Sequence, residues 1–140
     1  MKIRNIIPML ATGDMEASVR FYRDTLGFEV RDRFESGGRT WWCEMMRDGA
    51  VLMFTEHEVD VQSPGARAGF GQTSINVYLD DGVEALHARL QRAGYEVSDL
   101  RVTFYRIKEF DLRDPSGYTL LIGQPTDEAP TVIDAAAPPF

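Results

Sequence analysis

The residues best suited to bind a ligand are two adjacent tryptophans with a carboxylate close behind them. Trp41 and Trp42 precede Cys43 and Glu44 in a predicted strand. Successive side chains of a strand point to opposite faces, so the two rings face opposite sides and Glu44 shares the face of Trp42. Flat rings stack on planar ligands, and a neighbouring carboxylate suits a cationic group. The alternatives are core and interface packing for the two rings, and a solvated strand position for Glu44.

A second ring and carboxylate occur late in the chain. Tyr105 and Glu109 are four residues apart in a predicted strand, so the spacing places them on one face. Arg106 and Lys108 then lie on the opposite face, where we expect them to be exposed. For Glu109, as for Glu44, the alternative is a solvated strand residue.

The histidines and the single cysteine do not form a catalytic constellation in sequence order. His57 lies in a polar segment between Glu56 and Glu58, where neighbouring residues of a loop do not converge on a metal, and we expect it at the surface. His87 lies in a predicted helix, and we expect it on the outer or flanking side. Cys43 faces away from Trp42 and is expected to be a small buried hydrophobe. One cysteine excludes an intramolecular disulfide and suits a reducing cytoplasm.

These residues are carried by a module that occurs twice. Asp14 and Asp81 each open a helical pattern, and a glycine-aromatic-Glu-Val group follows 13 residues later, beginning at Gly27 and at Gly94. We predict Asp14 as a helix N-cap, Gly27 as the residue that ends that helix, and Asp81 with Glu84 as a capping box. An offset of about 67 residues indicates one βαβββ unit used twice. The predicted strands are Ile3 to Leu10, Phe28 to Phe34, Thr40 to Met46, Ala50 to Thr55, Ser74 to Leu79, a strand around Val97, Phe104 to Leu112, and Tyr118 to Ile122.

The repeat divides the 140-residue chain into four segments. Residues 1–55 form the first module and residues 73–124 the second. Residues 56–72 are polar, contain Gly and Pro, and are predicted to link the modules. Residues 125–140 are rich in Pro, Ala and acidic residues, so we expect this tail to be flexible on its own.

Composition and charge narrow the range of partners. The formal net charge is −7, which disfavours nucleic acid and favours a cationic ligand. No apolar run approaches 18 residues, so no membrane partner is expected. The N-terminus does not have the pattern of a signal peptide, and we expect a cytoplasmic protein.

Several motifs resemble those of the vicinal oxygen chelate superfamily, which includes glyoxalases, extradiol dioxygenases and bleomycin-resistance proteins. They are Ile6-Ile7-Pro8-Met9-Leu10 with Asp14, Ser18-Val19-Arg20-Phe21-Tyr22, Leu26-Gly27-Phe28, and Asp114-Pro115-Ser116-Gly117. The resemblance covers nearly the whole chain to Gln124. It implies an α+β fold in which two βαβββ modules form a cup-shaped mixed sheet with the helices outside, and it implies a homodimer.

In metal enzymes of this superfamily, four positions of the cup carry His or Glu. The resemblance carries those positions onto Ile7, Met53, Ser74 and Leu121. Three of these side chains are apolar and one is a neutral hydroxyl, whereas a divalent cation needs several converging N or O donors. Glu56 or Asn76 would reach such a position only after a larger register shift. We therefore expect no metal and no cofactor.

The metal-free, bleomycin-resistance-like branch matches better. Its members have a proline where Pro8 stands, at the bend of a first strand that reaches the partner subunit; an ordinary strand-end proline is the alternative. By register, Trp42 and Tyr105 stand where two of their ligand-stacking tryptophans stand. The expected ligand-binding residues are Trp42, Tyr105, Glu44, Glu109, Met53, Ser74, Leu121 and Ile7.

The resemblance therefore implies a metal-free binding protein that sequesters a flat, cationic natural product in an aromatic groove at a dimer interface. An alternative is a glyoxalase-like lyase or isomerase acting on a small oxygenated substrate, with Glu44 or Glu109 as general base. A third reading is a dimeric module whose cup is filled by side chains. Whether any reaction is catalysed stays open at this point, because one fold hosts many chemistries.

Overall fold

The computed structural model describes residues 1–57 and 73–131. The chain divides into two compact units, Met1–Pro64 and Gly65–Phe140, and each contains one four-stranded sheet. The elements of the first unit are β1 (Met9–Thr12), α1 (Met15–Leu26), β2 (Glu29–Ser36), β3 (Arg39–Arg47) and β4 (Ala50–Glu56). Those of the second are β5 (Ser74–Tyr78), α2 (Val83–Arg92), β6 (Arg101–Val102), β7 (Ile107–Arg113) and β8 (Thr119–Pro125).

The two units have the same topology. The strand orders are β1-β4-β3-β2 and β5-β8-β7-β6. The first strand of each unit pairs in parallel with the last, and the other pairs are antiparallel, so both sheets are mixed. The α+β prediction of two βαβββ modules is confirmed.

In the first unit, α1 packs on one face of its sheet through an aromatic core. Tyr22 is fully buried, and its ring centroid lies 4.9 Å from that of Phe54 and 6.3 Å from that of Phe28. Burying a side chain of this size stabilises the fold by about 1.5–3 kcal/mol. As predicted, Asp14 caps the helix by accepting a hydrogen bond from the Ala17 N–H at 2.9 Å, and Gly27 ends it at φ 70°. Glycine adopts this left-handed conformation without a steric penalty.

The second helix begins differently from its prediction. The N-cap is Gly82 rather than Asp81, and no side chain of the cap residue accepts from the first turn. Instead the Val83 N–H donates to Gln124 Oε1 at 2.8 Å, so a side chain of β8 satisfies one free donor of the helix. The predicted Asp81–Glu84 capping box is therefore wrong, because a distant residue supplied the acceptor.

Three strand predictions were also wrong in extent. The strand predicted to begin at Ile3 begins only at Met9. Pro8 has no N–H to donate to the sheet. Its carbonyl nevertheless accepts a hydrogen bond from the Met53 N–H at 3.0 Å. The strand predicted from Phe104 begins at Ile107, because residues 103–106 form a turn in which Arg106 has φ 63°. Val97 makes only an isolated bridge with Leu112.

The tail predicted to begin at Pro125 is held in place as far as Thr131. Pro125 is the last residue of β8. Beyond it, the Thr131 N–H donates to the Val102 carbonyl at 2.9 Å, and the Val102 N–H donates to Thr131 Oγ1 at 2.8 Å. Residues 126–131 thus cover the edge of the second sheet at β6, which removes a free strand edge. The rest of the tail prediction lies outside the described residues, as does most of the predicted linker.

Candidate functional site

The sheet of the first unit has a face turned away from α1, which we call the first distal face. Cys43, Met45, Leu52 and Phe54 are buried on the helix side. The residues that alternate with them lie on the other side, and the strand register joins them in pairs. The first distal face comprises Met9, Asp32, Phe34, Trp42, Glu44, Met53 and Thr55.

Two flat rings lie beside a carboxylate on this face. Trp42 is directly opposite Phe34 on β2, and Glu44 is directly opposite Met53 on β4. Side chains paired in this way have Cβ atoms about 4.5–5.5 Å apart. Trp42 is half-buried, whereas Phe34 is 59% exposed. The structure therefore brings together Trp42, Glu44 and Met53 from the expected residues and adds Phe34.

Trp41 has a different environment. Its Nε1–H donates to the Ser36 carbonyl at 3.2 Å, and the Arg39 guanidinium carbon lies 4.5 Å from the ring centroid. Trp41 is also the extra residue of a β-bulge, since Trp42 pairs with Phe34 and Thr40 pairs with Glu35. Its ring is thus engaged by local partners that Trp42 does not share.

The Glu44 carboxylate has one charged partner on the first distal face. Arg31 Nε lies 3.4 Å from Glu44 Oε1, and the Glu44 side chain is only 14% exposed. Asp32 is its cross-strand partner, so two carboxylates lie side by side. This corner carries a net negative charge, which favours a cationic group.

The second unit has an equivalent face turned away from α2, which we call the second distal face. Phe110, Leu112, Leu120 and Ile122 are fully buried on the helix side. The alternating residues, joined by register, are Ser74, Asn76, Tyr78, Arg101, Glu109, Asp111, Thr119 and Leu121. Leu121 is buried and lies opposite both Asn76 and Asp111.

Glu109 is the centre of a polar cluster on the second distal face. Arg101 Nη2 donates to Glu109 Oε1 at 2.9 Å and to Asp111 Oδ1 at 2.7 Å. The hydroxyl of Tyr105 donates to Glu109 Oε1 at 3.3 Å, although Tyr105 lies in the 103–106 turn and not in a strand. Glu109 is buried, so the alternative of a solvated strand residue does not apply to it.

The pKa directions in this cluster follow from burial and charge. Burial and the negative charge of Glu109 raise the pKa of Tyr105, which keeps the phenol protonated as a donor. For Arg101, burial acts to lower the pKa, but the hydrogen bonds and charges of Asp111 and Glu109 together raise it. The guanidinium therefore stays charged and neutralises one of its two carboxylates.

The four positions suggested by the metal enzymes do not supply a donor set. In the first unit, Met53 lies on the first distal face and Ile7 lies two residues before β1. In the second unit, Ser74 and Leu121 are both on the second distal face. In residues 1–57 and 73–131, no three His, Cys, Asp or Glu side chains are grouped so as to hold a metal ion. These side chains do not fit the divalent-metal site of the resembling enzymes.

The histidines and the cysteine have structural environments. His57 is exposed, as predicted, and its Nε2 lies 3.3 Å from Thr55 Oγ1. His87, expected on the outer or flanking side of its helix, is half-buried. Its ring lies 5.0 Å from that of Phe110, and its Nε2 lies 2.8 Å from the Ser98 carbonyl. Cys43 is fully buried, as predicted.

The expectation that Arg106 and Lys108 are both exposed holds only for Arg106. The Lys108 side chain is 17% exposed and contacts Glu84 Oε1 at 2.6 Å and Glu128 Oε2 at 2.9 Å. Lys108 thereby ties the start of α2 and the residues after β8 to the helix side of the second sheet.

Sequence patterns did not indicate Phe34, Arg31, Arg101 or Asp111. Phe34 and Asp111 lie in predicted strands, and alternation alone would have found their faces once the register was known. Arg31 reaches Glu44 because a bulge in β2 inserts it between Val30 and Asp32. No sequence signal marked that bulge.

Comparison with known proteins agrees with the topology. Residues 6–122 match the family model described as the Glyoxalase/Bleomycin resistance protein/Dioxygenase superfamily. No curated protein matches the chain at a significant level. Among solved structures, an antibiotic-binding protein from a Streptomyces species is 24% identical, with a TM-score of 0.68, and the match covers 90% of this chain and 99% of that one.

Two further solved structures represent different functions on the same fold. A bleomycin-binding protein complexed with bleomycin is 20% identical, with a TM-score of 0.65 over 89% of this chain and 100% of that one. A lactoylglutathione lyase from Agrobacterium tumefaciens is 19% identical, with a TM-score of 0.64 over 88% and 95%. At these identities the likeness shows the fold alone. Because the family model spans residues 6–122 and the described strands have the expected order, this chain belongs to the Glyoxalase/Bleomycin resistance protein/Dioxygenase superfamily.

Proposed function

We propose that this protein is a metal-free small-molecule binding protein of the bleomycin-resistance type. It sequesters a flat, cationic natural product in an aromatic groove that a second copy of the chain completes. The observation that carries the proposal is the first distal face, where the paired residues Trp42 and Phe34 lie next to the Glu44–Asp32 pair. Solved relatives described as antibiotic-binding and bleomycin-binding support it at the level of the fold.

Ring stacking supplies the first part of the recognition. Trp42 and Phe34 are cross-strand neighbours, and Phe34 leaves most of its ring exposed. Aromatic pairs contribute about 0.5–1.5 kcal/mol beyond the area that they bury. A planar ligand that covers both rings gains from each contact. Met53, with its polarizable thioether, adapts to the outline of the ligand.

Charge supplies the second part of the recognition, and the partners of Glu44 and Glu109 show which of them is available to a cation. Glu109 is already bound by Arg101 and Tyr105, so it has little remaining capacity for a cation. Glu44 has one ion pair at 3.4 Å. We therefore assign the ligand's cation to Glu44. Tyr105, in the second unit, remains a proposed ring on which a planar group stacks. The net charge of −7 attracts such a ligand to the protein.

The absence of a metal from the proposed mechanism follows from side-chain chemistry. Ile7, Met53 and Leu121 are apolar, and Ser74 offers a neutral hydroxyl. Glu56, the nearest carboxylate along β4, accepts from the Met15 N–H at 3.1 Å and pairs with Arg39. The Glu56 carboxylate is therefore engaged at the start of α1.

Exposed apolar residues before β1 support the dimer. Ile3 and Ile6 lie in the segment that precedes Pro8, and both are largely exposed. Exposed aliphatic side chains in one short segment favour a protein–protein contact. We propose that this segment packs on the second copy.

Calorimetric titration with bleomycin, with and without added divalent metal, tests the proposal. We expect saturable binding that does not depend on protein-bound metal. Trp42→Ala should weaken binding about tenfold because a stacking surface is lost. Trp41→Ala is the matched control: it removes the same side chain from the neighbouring position, where Ser36 and Arg39 engage the ring, and should leave the affinity nearly unchanged. Bleomycin that fails to bind, or two variants equally impaired, would count against this function.

A glyoxalase-like lyase or isomerase is the second candidate, and the contact between Tyr105 and the buried Glu109 favours it. A carboxylate next to a phenol is a plausible acid–base pair. Arg101 opposes this role, because its guanidinium and the Tyr105 hydroxyl already occupy the Glu109 oxygen that would accept a substrate proton. Lactoylglutathione formation by the wild-type protein, abolished in Glu109→Gln, would establish the enzyme; no turnover above the uncatalysed rate would remove it.

A further inference from the structure

The Glu44 carboxylate has one charged partner and room for a further donor. Its side chain is 14% exposed, and its ion pair with Arg31 is 3.4 Å long. Within residues 1–57 and 73–131, no hydrogen bond to this carboxylate accompanies the ion pair. Neither Glu44 oxygen is a buried atom without a partner, so water reaches this carboxylate and can be exchanged for a ligand donor. Glu44 therefore retains capacity for a donor.

Arg31 owes its position to an irregularity in the backbone. Val30 pairs with Met45 and Asp32 pairs with Glu44, so Arg31 is the extra residue of a bulge in β2. A bulge redirects a side chain that regular alternation would place elsewhere. Arg31 Nη1 also lies 3.8 Å from the sulfur of Met46. Its guanidinium thus rests over the first distal face, held by two weak contacts.

We propose that Arg31 is an internal competitor for the cationic group of the ligand. Its guanidinium occupies the place beside Glu44 that a ligand ammonium, guanidinium or aromatic cation takes in the complex, and it moves into solvent when the ligand binds. This inference rests on the proposed function and names the ligand class more closely: a planar ring system with a cation at one edge, next to the ring that covers Trp42.

Displacing Arg31 costs little, because the ligand cation takes its place and the Glu44 carboxylate keeps a charged partner. The Arg31 side chain is 58% exposed, so its guanidinium regains water when it leaves Glu44. Exposed ion pairs shift an equilibrium by about fivefold at most. Asp32, the cross-strand partner of Glu44, adds a second negative charge that also attracts an incoming cation.

The arginine of the second distal face is a contrasting case. Arg101 is 17% exposed and donates to Glu109 and Asp111 at 2.9 and 2.7 Å. Removing it from these partners would leave an enclosed carboxylate without its cation, which is costly. Of these two arginines, Arg31 is therefore the one that a ligand can replace.

The test compares two planar probes that differ in charge: N-methylphenanthridinium, a cation, and phenanthridine, which is neutral at pH 7.5. Affinities are measured by calorimetry at one ionic strength for the wild type, Arg31→Gln, Glu44→Gln and the double variant. Arg33→Gln is the matched control, because it removes the same charge from the same strand at the position paired with Cys43, on the helix side. Arg31→Lys keeps the charge and should stay near the wild type.

We expect Arg31→Gln to bind the cation about fivefold more tightly and the neutral probe unchanged. Glu44→Gln should weaken cation binding at least tenfold, since a charge-assisted interaction is lost. In the Glu44→Gln background, Arg31→Gln should not raise the affinity for the cation, because the carboxylate for which Arg31 competes is absent. Arg33→Gln should change the affinity less than twofold.

Three results would overturn the inference. If the wild type binds the probes and Arg31→Gln leaves cation affinity unchanged or weaker, Arg31 is not a competitor, while the binding function stands. If Arg33→Gln tightens cation binding as much as Arg31→Gln, net charge explains the gain. If no variant binds either probe or bleomycin, the proposed function fails, and this inference fails with it.

Discussion

Removing Arg101 should destabilise the fold far more than removing a lysine of equal exposure. The side chains of Arg101 and Lys108 are each 17% exposed, and each pairs with two carboxylates. The partners differ: Glu109 is 4% exposed, whereas Glu84 and Glu128 are 53% and 55% exposed. Arg101→Met leaves a carboxylate that water cannot reach, whereas Lys108→Met leaves carboxylates that water hydrates.

The magnitudes follow from that difference. Breaking a buried pair by removing one partner costs about 3–5 kcal/mol. Breaking an exposed pair costs about 0.2–1 kcal/mol. We therefore expect the free energy of unfolding to fall by roughly 3 kcal/mol in Arg101→Met and only slightly in Lys108→Met.

Urea denaturation followed by circular dichroism measures both changes, provided that the slope of the unfolding free energy against urea stays constant. Adding Glu109→Gln to Arg101→Met should recover part of the loss, because it removes the uncompensated charge. Equal losses in Arg101→Met and Lys108→Met, or no recovery in the double variant, would refute the argument that burial of the partner sets the cost.

Three other predictions concern the packing that holds the two distal faces. Asp14→Ala should lower the free energy of unfolding by about 1 kcal/mol, whereas Asp81→Ala should be nearly neutral in the same urea titration, because only Asp14 caps its helix. Gly123→Ala should cost about 1–3 kcal/mol by the same assay, since an added Cβ would lie 2.5 Å from Ile107 Cγ2. Burial raises the pKa of the Cys43 thiol above its ordinary value of 9.0, so the folded state holds this proton more tightly than the unfolded state. Stability should then fall as the pH rises above that value, and a thiol reagent at pH 8 should modify Cys43 only at the rate of unfolding; rapid modification of the native protein would contradict this.

The repeat, the fold class and several local features followed from the sequence because they depend on short-range chemistry. Asp14 caps α1 because the first N–H groups of a helix have no partner within the helix. Gly27 ends α1 because that position takes a left-handed conformation. Both requirements are local. Strand alternation alone predicted that Trp42 and Glu44 lie on the same face of β3. Burial of Cys43 followed in the same way.

The tertiary structure decided the features that depend on partners distant in the chain. Gln124 replaced Asp81 as the acceptor at the start of α2, although 41 residues separate it from Val83. Arg101 and Glu109 form a buried ion pair that sequence patterns did not indicate. The reason is physical: alternation fixes the side of a strand on which a residue lies, whereas register, bulges and burial arise only when strands pair, and these determine which charges meet.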